Sequence, residues 1–285
     1  MEQAWEKYEQ VLAGLRPLDR VAVAFSGGVD STLLLKAAVM ALGADRVLAV
    51  TADSETYPAR ERVAAEAVAL EIGASQILIQ TEELAIPGYA ENPVNRCYFC
   101  KQELFTQLLA VARERGISHV AFGAIAEDAG EFRPGLMAAR EQHILAPLQT
   151  AQLLKREVRY LAHGLGLSNW DKPSLACLSS RIPYGHRITP EILTQVDQAE
   201  FFLLQLGFRQ VRVRHHDDVA RIEVLPEDRA AVLDLTALIT EKFTRLGYHH
   251  VALDLNGYRA GSLNAGLPVT AGVWQSPLSD EPGDS

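Results

Sequence analysis

Cysteine is scarce in this chain: three residues in 285, too few for a disulfide framework. Long apolar runs are missing as well. A bilayer crossing needs ~18 residues, and the best candidate, the stretch from Leu33 to Leu42, is short and carries Lys36. The N-terminus lacks the basic-then-apolar order of a signal peptide, so a cytoplasmic location without a membrane partner is expected. Positive charge is in deficit too, with 27 Lys and Arg against 36 Asp and Glu and a net charge of −9. No region forms a basic surface, which argues against a nucleic-acid partner held by its phosphates. What is present is ordinary for a folded globular protein: 48% hydrophobic residues, 22% charged and a mean hydropathy of +0.01. At ~150 residues per domain the length suggests two domains.

Apolar runs alternate with helical patterns over the first half. Val21–Phe25, Val47–Thr51, Gln76–Ile79 and His119–Phe122 read as short buried strands, while Thr32–Leu42, Pro58–Ile72 and Lys101–Arg115 place apolar residues three and four apart. Strands separated by such helices imply right-handed crossovers, hence an α/β fold with a doubly wound parallel sheet. Ala151–Leu165 reads as a further helix. Pro173, Pro183, Gly185 and Pro190 break the pattern over residues 166–190, where the domain junction is placed. The first domain is expected over residues 1–185 and a smaller α+β domain over 186–272. The latter reads as a helix at Pro190–Leu206, strands at Val211–Arg214 and Ala220–Leu225, a helix at Glu227–Leu246 and a strand at Val251–Leu255. Residues 273–285 have no apolar periodicity and are expected to be a disordered tail.

Directly after the first strand comes Ser26-Gly27-Gly28-Val29-Asp30-Ser31-Thr32, followed by a helix. Glycines let the backbone turn tightly and bring amides up to an anion, hydroxyls add donors, and the helix N-terminus supplies positive charge. This combination binds phosphate. Asp30 is out of place among anion ligands unless it holds a Mg²⁺ that bridges to the phosphate oxygens. The loop lacks the lysine of a Walker motif, which disfavours that class of NTPase. A plain tight turn capped by Asp30 and Ser31 is the simpler reading. The full string, however, resembles the loop of the ATP pyrophosphatases, which split ATP to AMP and pyrophosphate. Ser54, after the second strand, lies at the sheet's carboxyl edge, where nucleotides bind in such folds.

Cys97 and Cys100 supply two thiolates from one loop, and Cys177 is the remaining thiol. A structural zinc would need a fourth ligand from elsewhere. Three thiolates suit a [4Fe–4S] cluster with one iron left open to an exogenous ligand such as hydrosulfide. A redox pair of Cys97 and Cys100, with Cys177 a bystander, is the alternative.

The phosphate loop, Asn95-Arg96-Cys97-Tyr98-Phe99-Cys100-Lys101, Arg133-Pro134-Gly135-Leu136, Asn169-Trp170-Asp171-Lys172-Pro173, the stretch from Ala176 to Gly185 and Val211-Arg212-Val213-Arg214 together resemble the LarE family over residues 18–265. The resemblance implies an ATP-dependent sulfur transferase that converts the carboxylates of pyridinium-3,5-biscarboxylic acid mononucleotide to thiocarboxylates, a step toward the nickel-pincer cofactor of lactate racemase. In one variant of the family a lone cysteine, whose place would fall at Ala176, gives up its sulfur and becomes dehydroalanine. In the other, three cysteines hold a cluster that carries the sulfur; Cys97, Cys100 and Cys177 resemble the second. Sacrificial donation from Cys177 stays open, and so does the source of sulfide. A homo-oligomer is expected.

Other residues are candidates for the same site. Lys101 could neutralise a carboxylate or phosphate, and Arg181, beside Cys177, could hold the adenylated substrate. Glu127 and Asp128, beyond the fourth strand, could complete a Mg²⁺ site. Arg212 and Arg214 share one strand face, opposite Val211 and Val213, and could clamp a nucleotide phosphate. His215-His216-Asp217-Asp218 reads as a turn rather than a metal cluster. A tRNA-thiolating enzyme would show a basic face, and an amide-forming synthetase that makes GMP or NAD would not need the three thiols.

Overall fold

The computed structural model describes residues 2–130, 134–174, 176–259 and 261–264. The expected tail lies outside them. An N-terminal helix, α1 (Glu2–Leu15), buries Tyr8, Val11, Leu12 and Leu15, a stripe at three- and four-residue spacing. The alternation follows: β1 (Val21–Ala24), α2 (Val29–Leu42), β2 (Val47–Asp53), α3 (Ala59–Ile72), β3 (Ser75–Gln80), α4 (Arg96–Glu114), β4 (His119–Phe122), α5 (Pro134–Glu141), α6 (Pro147–Thr150) and α7 (Lys155–Gly164). The four strands form an all-parallel sheet in the order β3-β2-β1-β4. One face is covered by α1, α2 and α7, where Leu33, Leu34 and Leu35 are fully buried, and the other by α4 and α5 around Tyr98, Phe105 and Leu108. Successive strands run outward from β1 to β2 and β3, then the chain crosses to β4 on the far side of β1. The carboxyl end of β1 is therefore the switch point at which such sheets bind ligands, and the phosphate loop begins there.

A second sheet belongs to α8 (Pro190–Gln205), β5 (Val211–His216), β6 (Val219–Val224), α9 (Arg229–Asp234), α10 (Thr236–Arg245) and β7 (His250–Leu253), with strand order β5-β6-β7. β5 and β6 form an antiparallel hairpin closed by Asp217 in a left-handed conformation; of the segment read as a turn, His215 and His216 lie on β5, and the turn itself is Asp217 and Asp218. Val211 and Val213 face the core with Leu203, Phe243 and Tyr248. Among the described residues no helix is long and apolar enough to cross a membrane.

Three local expectations change. α4 starts at Arg96, so Cys97 and Cys100 lie on its first turn rather than in a loop; burial of Tyr98 in line with Phe105 and Leu108 continues the helical stripe upstream. The helix expected at Ala151–Leu165 begins at Lys155, because Gln152 takes a left-handed conformation and ends the preceding short turn. The long helix expected from Glu227 is two helices that meet at Leu235. Residues 166–190, where the domain junction is placed, are tied to the first half of the chain by backbone hydrogen bonds. Leu178 N–H donates to the Thr56 carbonyl, Gly185 N–H to that of Asn92 and Ile188 N–H to that of Ala90, at 2.7–3.0 Å. Leu178, Ile182 and Ile188 pack with Tyr89, Leu193 and Val196, a small core joining this segment to α8 and to the loop before α4.

Candidate functional site

The phosphate loop is shaped by its first glycine. Gly27 has φ +64°, and a Cβ there would meet Ala65 Cβ at 2.7 Å, so both conformation and space demand glycine. Gly123, at the end of β4, backs the loop: its Cβ would lie 2.8 Å from the Ser31 nitrogen. Gly28 precedes α2 in an extended conformation with no side-chain cap, leaving the first amides of the helix for an anion. Ser26 is exposed at the mouth. The other hydroxyls turn inward, against expectation. Ser31 Oγ donates to the Gly28 carbonyl at 3.0 Å, and Thr32, fully buried, accepts from Asn169 Nδ2 at 2.9 Å. In these positions they brace the loop.

Two lysines from distant segments supply the charge the loop lacks. Lys172 Nζ donates to the Gly27 carbonyl at 3.1 Å and pairs with Glu61 at 2.8 Å. Lys155 Nζ donates to both carboxylate oxygens of Asp30, at 2.8 and 2.6 Å. Burial raises the Asp30 pKa, with Asp128 adding to the effect and Lys155 opposing it. Neither lysine carries a local sequence signal for this role, although Lys172 lies in the Asn169–Pro173 motif. Glu127 and Asp128 are turned onto amides: Glu127 accepts from Lys155 N–H at 2.8 Å and Asp128 from Ile125 N–H at 2.9 Å. They wall the space around Asp30, and Asp30 is the carboxylate of the three that stands in the loop where a Mg²⁺ would meet phosphate.

On the neighbouring edge, Ser54 Oγ lies 3.1 Å from Thr56 Oγ1, and a buried carboxylate follows. Glu83 accepts from Thr81 Oγ1 at 3.0 Å and from the Cys100 thiol at 4.0 Å. Burial raises its pKa, against the hydrogen bonds of Ser54 and Thr81. Sequence reasoning did not find Glu83, which sits in an unremarkable acidic run. Cys97 is exposed, while Cys100 and Cys177 are half-buried. Burial pushes the Cys100 thiol well up; the Lys101 charge opposes this, whereas Glu83, Cys177 and Cys97 add to it. Cys100 thus feels both other thiols, and Tyr89 and Tyr184 each feel two of the three. Lys101 lies half-buried over the Phe105 ring, 6.0 Å from its centre. Among the described residues no three His, Cys, Asp or Glu side chains are grouped to hold a metal ion. The three thiols are thus not gathered into one ligand set here, although thiols alone are the donor chemistry of an iron–sulfur cluster rather than of a mixed zinc site.

Two arginines expected to face substrate are committed elsewhere. Arg181, 1% exposed, forms a two-pronged pair with the equally buried Glu200 at 2.8 Å on both arms. It also donates to the carbonyls of Ala176 and Cys177 at 2.6 and 2.9 Å, so it positions the cysteine from behind. Arg214 pairs in the same way with Glu223, at 3.0 and 2.8 Å. Arg212 differs. Its guanidinium donates to the carbonyls of Val211 and Ser174 and lies over the Tyr258 ring. Burial and the neighbouring Arg181 charge bring its pKa down to about 10. It is a buried cation beside paired ones, which an anion would complete.

Comparison with known proteins agrees with this geometry. A family model described as NAD synthase matches residues 9–123, which contain the phosphate loop. The chain is 44% identical over 260 residues to an uncharacterized protein of Synechocystis sp., covering 90% of this chain and 97% of that one. It is 40% identical over 259 residues to the pyridinium-3,5-bisthiocarboxylic acid mononucleotide synthase of Lactiplantibacillus plantarum, covering 90% of this chain and 94% of that enzyme. An uncharacterized protein of Methanocaldococcus jannaschii is 26% identical over 241 residues.

Proposed function

Because the chain belongs to the LarE family, that of the L. plantarum synthase, we propose that it is an ATP-dependent sulfur transferase acting on the carboxylates of pyridinium-3,5-biscarboxylic acid mononucleotide. The observation that carries this reading is the meeting of two devices at one sheet edge. A phosphate loop stands at the switch point, and on the same edge the Cys100 thiol meets Glu83, which Ser54 also reaches, with Cys177 and Cys97 near enough to act on Cys100.

A carboxylate is a poor acyl donor because its leaving group would be oxide. Activation solves this. A substrate carboxylate oxygen attacks the α-phosphorus of ATP, the bond to the bridging oxygen breaks, and pyrophosphate leaves with its electron pair. The amides at the start of α2 stabilise the charge that develops there. Asp30 would hold Mg²⁺, which would supply charge neutralisation at the phosphates. A hydrosulfide sulfur then attacks the acyl carbon, the bond to AMP breaks, AMP leaves with the pair, and a thiocarboxylate remains. Two rounds treat both carboxylates. Cys97, Cys100 and Cys177 would hold a [4Fe–4S] cluster, which would supply the sulfur; Lys101 would offset negative charge beside it, and Arg181 fixes the backbone of Cys177. The test is to supply ATP, the pyridinium biscarboxylate and sulfide. Release of AMP and pyrophosphate should require the acceptor, and a thiocarboxylate should form. Pyrophosphate release with ammonia as the sole co-reactant would instead favour an amide-forming synthetase.

Arg212 is the side chain suited to the substrate's own phosphate. Arg212→Ala should raise KM for the pyridinium mononucleotide by at least ~10-fold, the scale of one charge-assisted contact, and leave KM for ATP unchanged. Arg214→Ala should act on stability, because it leaves the buried Glu223 carboxylate with Arg221 as its remaining ion-pair partner. Equal effects of Arg212→Ala on both substrates would remove it from the mononucleotide site.

A further inference from the structure

The pair between Lys155 and Asp30 sits where a cation is hardest to justify on structural grounds. Lys155 is the first residue of α7, whose N-terminal end already carries positive partial charge. Its ammonium is placed at a second such end, the start of α2, because Asp30 is the second residue of that helix. The start of α2 and the ammonium thus meet at one carboxylate, which burial already works against. The start of α7 has carboxylates of its own, Glu127 on the Lys155 amide and Glu157 on the Leu154 amide, and the ammonium reaches past them to Asp30. A surface pair of this exposure, 31% and 27% for the two side chains, adds little to stability, so stability alone does not account for it. Asp30 is also the one carboxylate of the loop, and it cannot hold a divalent cation through the same oxygens that the ammonium occupies.

Resting on the ATP-pyrophosphatase reading of the loop, we propose that Lys155 is the resting counter-ion of Asp30 and moves to the pyrophosphate moiety of the nucleotide when Mg²⁺ takes the carboxylate. The flexible four-carbon stem lets Nζ shift without moving α7. Glu127, by accepting the Lys155 backbone N–H at 2.8 Å, anchors the base of that stem. Lys155 is in this sense a positioning residue for the departing pyrophosphate, and it stands in for the lysine that the loop itself lacks. AMP, which keeps the α-phosphate and loses the other two, has no claim on it.

Titration calorimetry of the full chain with inorganic pyrophosphate plus Mg²⁺, with ATP plus Mg²⁺ and with AMP separates the roles. In Lys155→Met, pyrophosphate and ATP should bind at least ~10-fold more weakly, while AMP binds as in the wild type. Lys155→Arg should retain most of the pyrophosphate affinity. In Lys155→Met the Mg²⁺ concentration needed for half-maximal ATP binding, measured at saturating ATP, should fall, because the competing ammonium is gone. If Lys155→Met fails to fold, the double variant Asp30→Asn with Lys155→Met removes the stranded carboxylate. Compared with Asp30→Asn alone, it should show the same selective loss of pyrophosphate. Wild-type pyrophosphate affinity in Lys155→Met, or a parallel loss of AMP affinity, overturns the proposal for Lys155 and leaves the ATP reading standing. Absence of ATP and pyrophosphate binding in the wild type itself overturns the ATP reading and the proposal with it.

Discussion

Asp30→Ala is expected to stop pyrophosphate release, with turnover falling by ~10² or more, the scale of losing one preorganised contact to developing charge. The loss follows from where the residue stands. Asp30 lies at the start of α2 with its carboxylate over the loop, and it is the group that can bring Mg²⁺ to the phosphates. The fold should survive. The pair with Lys155 is partly exposed and contributes under about 1 kcal/mol, and the loop's shape comes from Gly27, Ser31 and Thr32. Circular dichroism melting beside a pyrophosphate release assay checks both halves. Wild-type turnover would remove Asp30 from the site, and a collapsed melting curve would make it structural.

The opposite profile is expected at Arg181 and Glu200. Each is 1% exposed and each satisfies the other, while Glu200 also accepts from Val213 N–H at 2.9 Å and so ties α8 to β5. Removing one partner strands a buried charge, which costs about 3–5 kcal/mol, a large share of the ~5–15 kcal/mol that holds a typical domain together. Arg181→Met should therefore lower the urea midpoint sharply, and Arg181→Met with Glu200→Met should recover most of it. Activity should stay low in the double variant, since Arg181 also holds the carbonyls of Ala176 and Cys177. An unchanged midpoint in Arg181→Met would contradict the pairing. Full activity in the double variant would show that Cys177 needs no such support.

What could be read from the sequence divides along a physical line. The parallel sheet was legible because buried strands such as Val47–Thr51 are continuous apolar runs, and the phosphate loop because its conformation demands Gly27. The Arg212 and Arg214 alternation was legible as one strand face. It could not show that Glu223, which stands opposite Arg212, pairs on the diagonal with Arg214, since a cross-strand partner leaves no local trace. Lys155, Glu83 and Glu200 were missed for the same reason: each gains its role from residues distant in sequence, 125 positions away for Lys155 and Asp30. The start of α4 was misplaced because the Cys97–Cys100 spacing reads equally well in a loop; the buried Tyr98, seven residues before Phe105, is the signal that settles the helix. Thr32 was taken for a phosphate donor because side-chain type was legible and side-chain direction was not.

The central claim is that three thiols hold a renewable sulfur source, and anaerobically prepared protein tests it most directly. Iron and acid-labile sulfide are measured first, then the intact chain is weighed after reaction with ATP, the pyridinium biscarboxylate and sulfide. The account predicts about four irons per chain, as a [4Fe–4S] centre requires, several thiocarboxylates formed per chain and an unchanged protein mass. Cys97→Ala, Cys100→Ala and Cys177→Ala should each lose iron and turnover together. Iron-free protein that is active for a single sulfur transfer and ends with dehydroalanine at position 177 would contradict it.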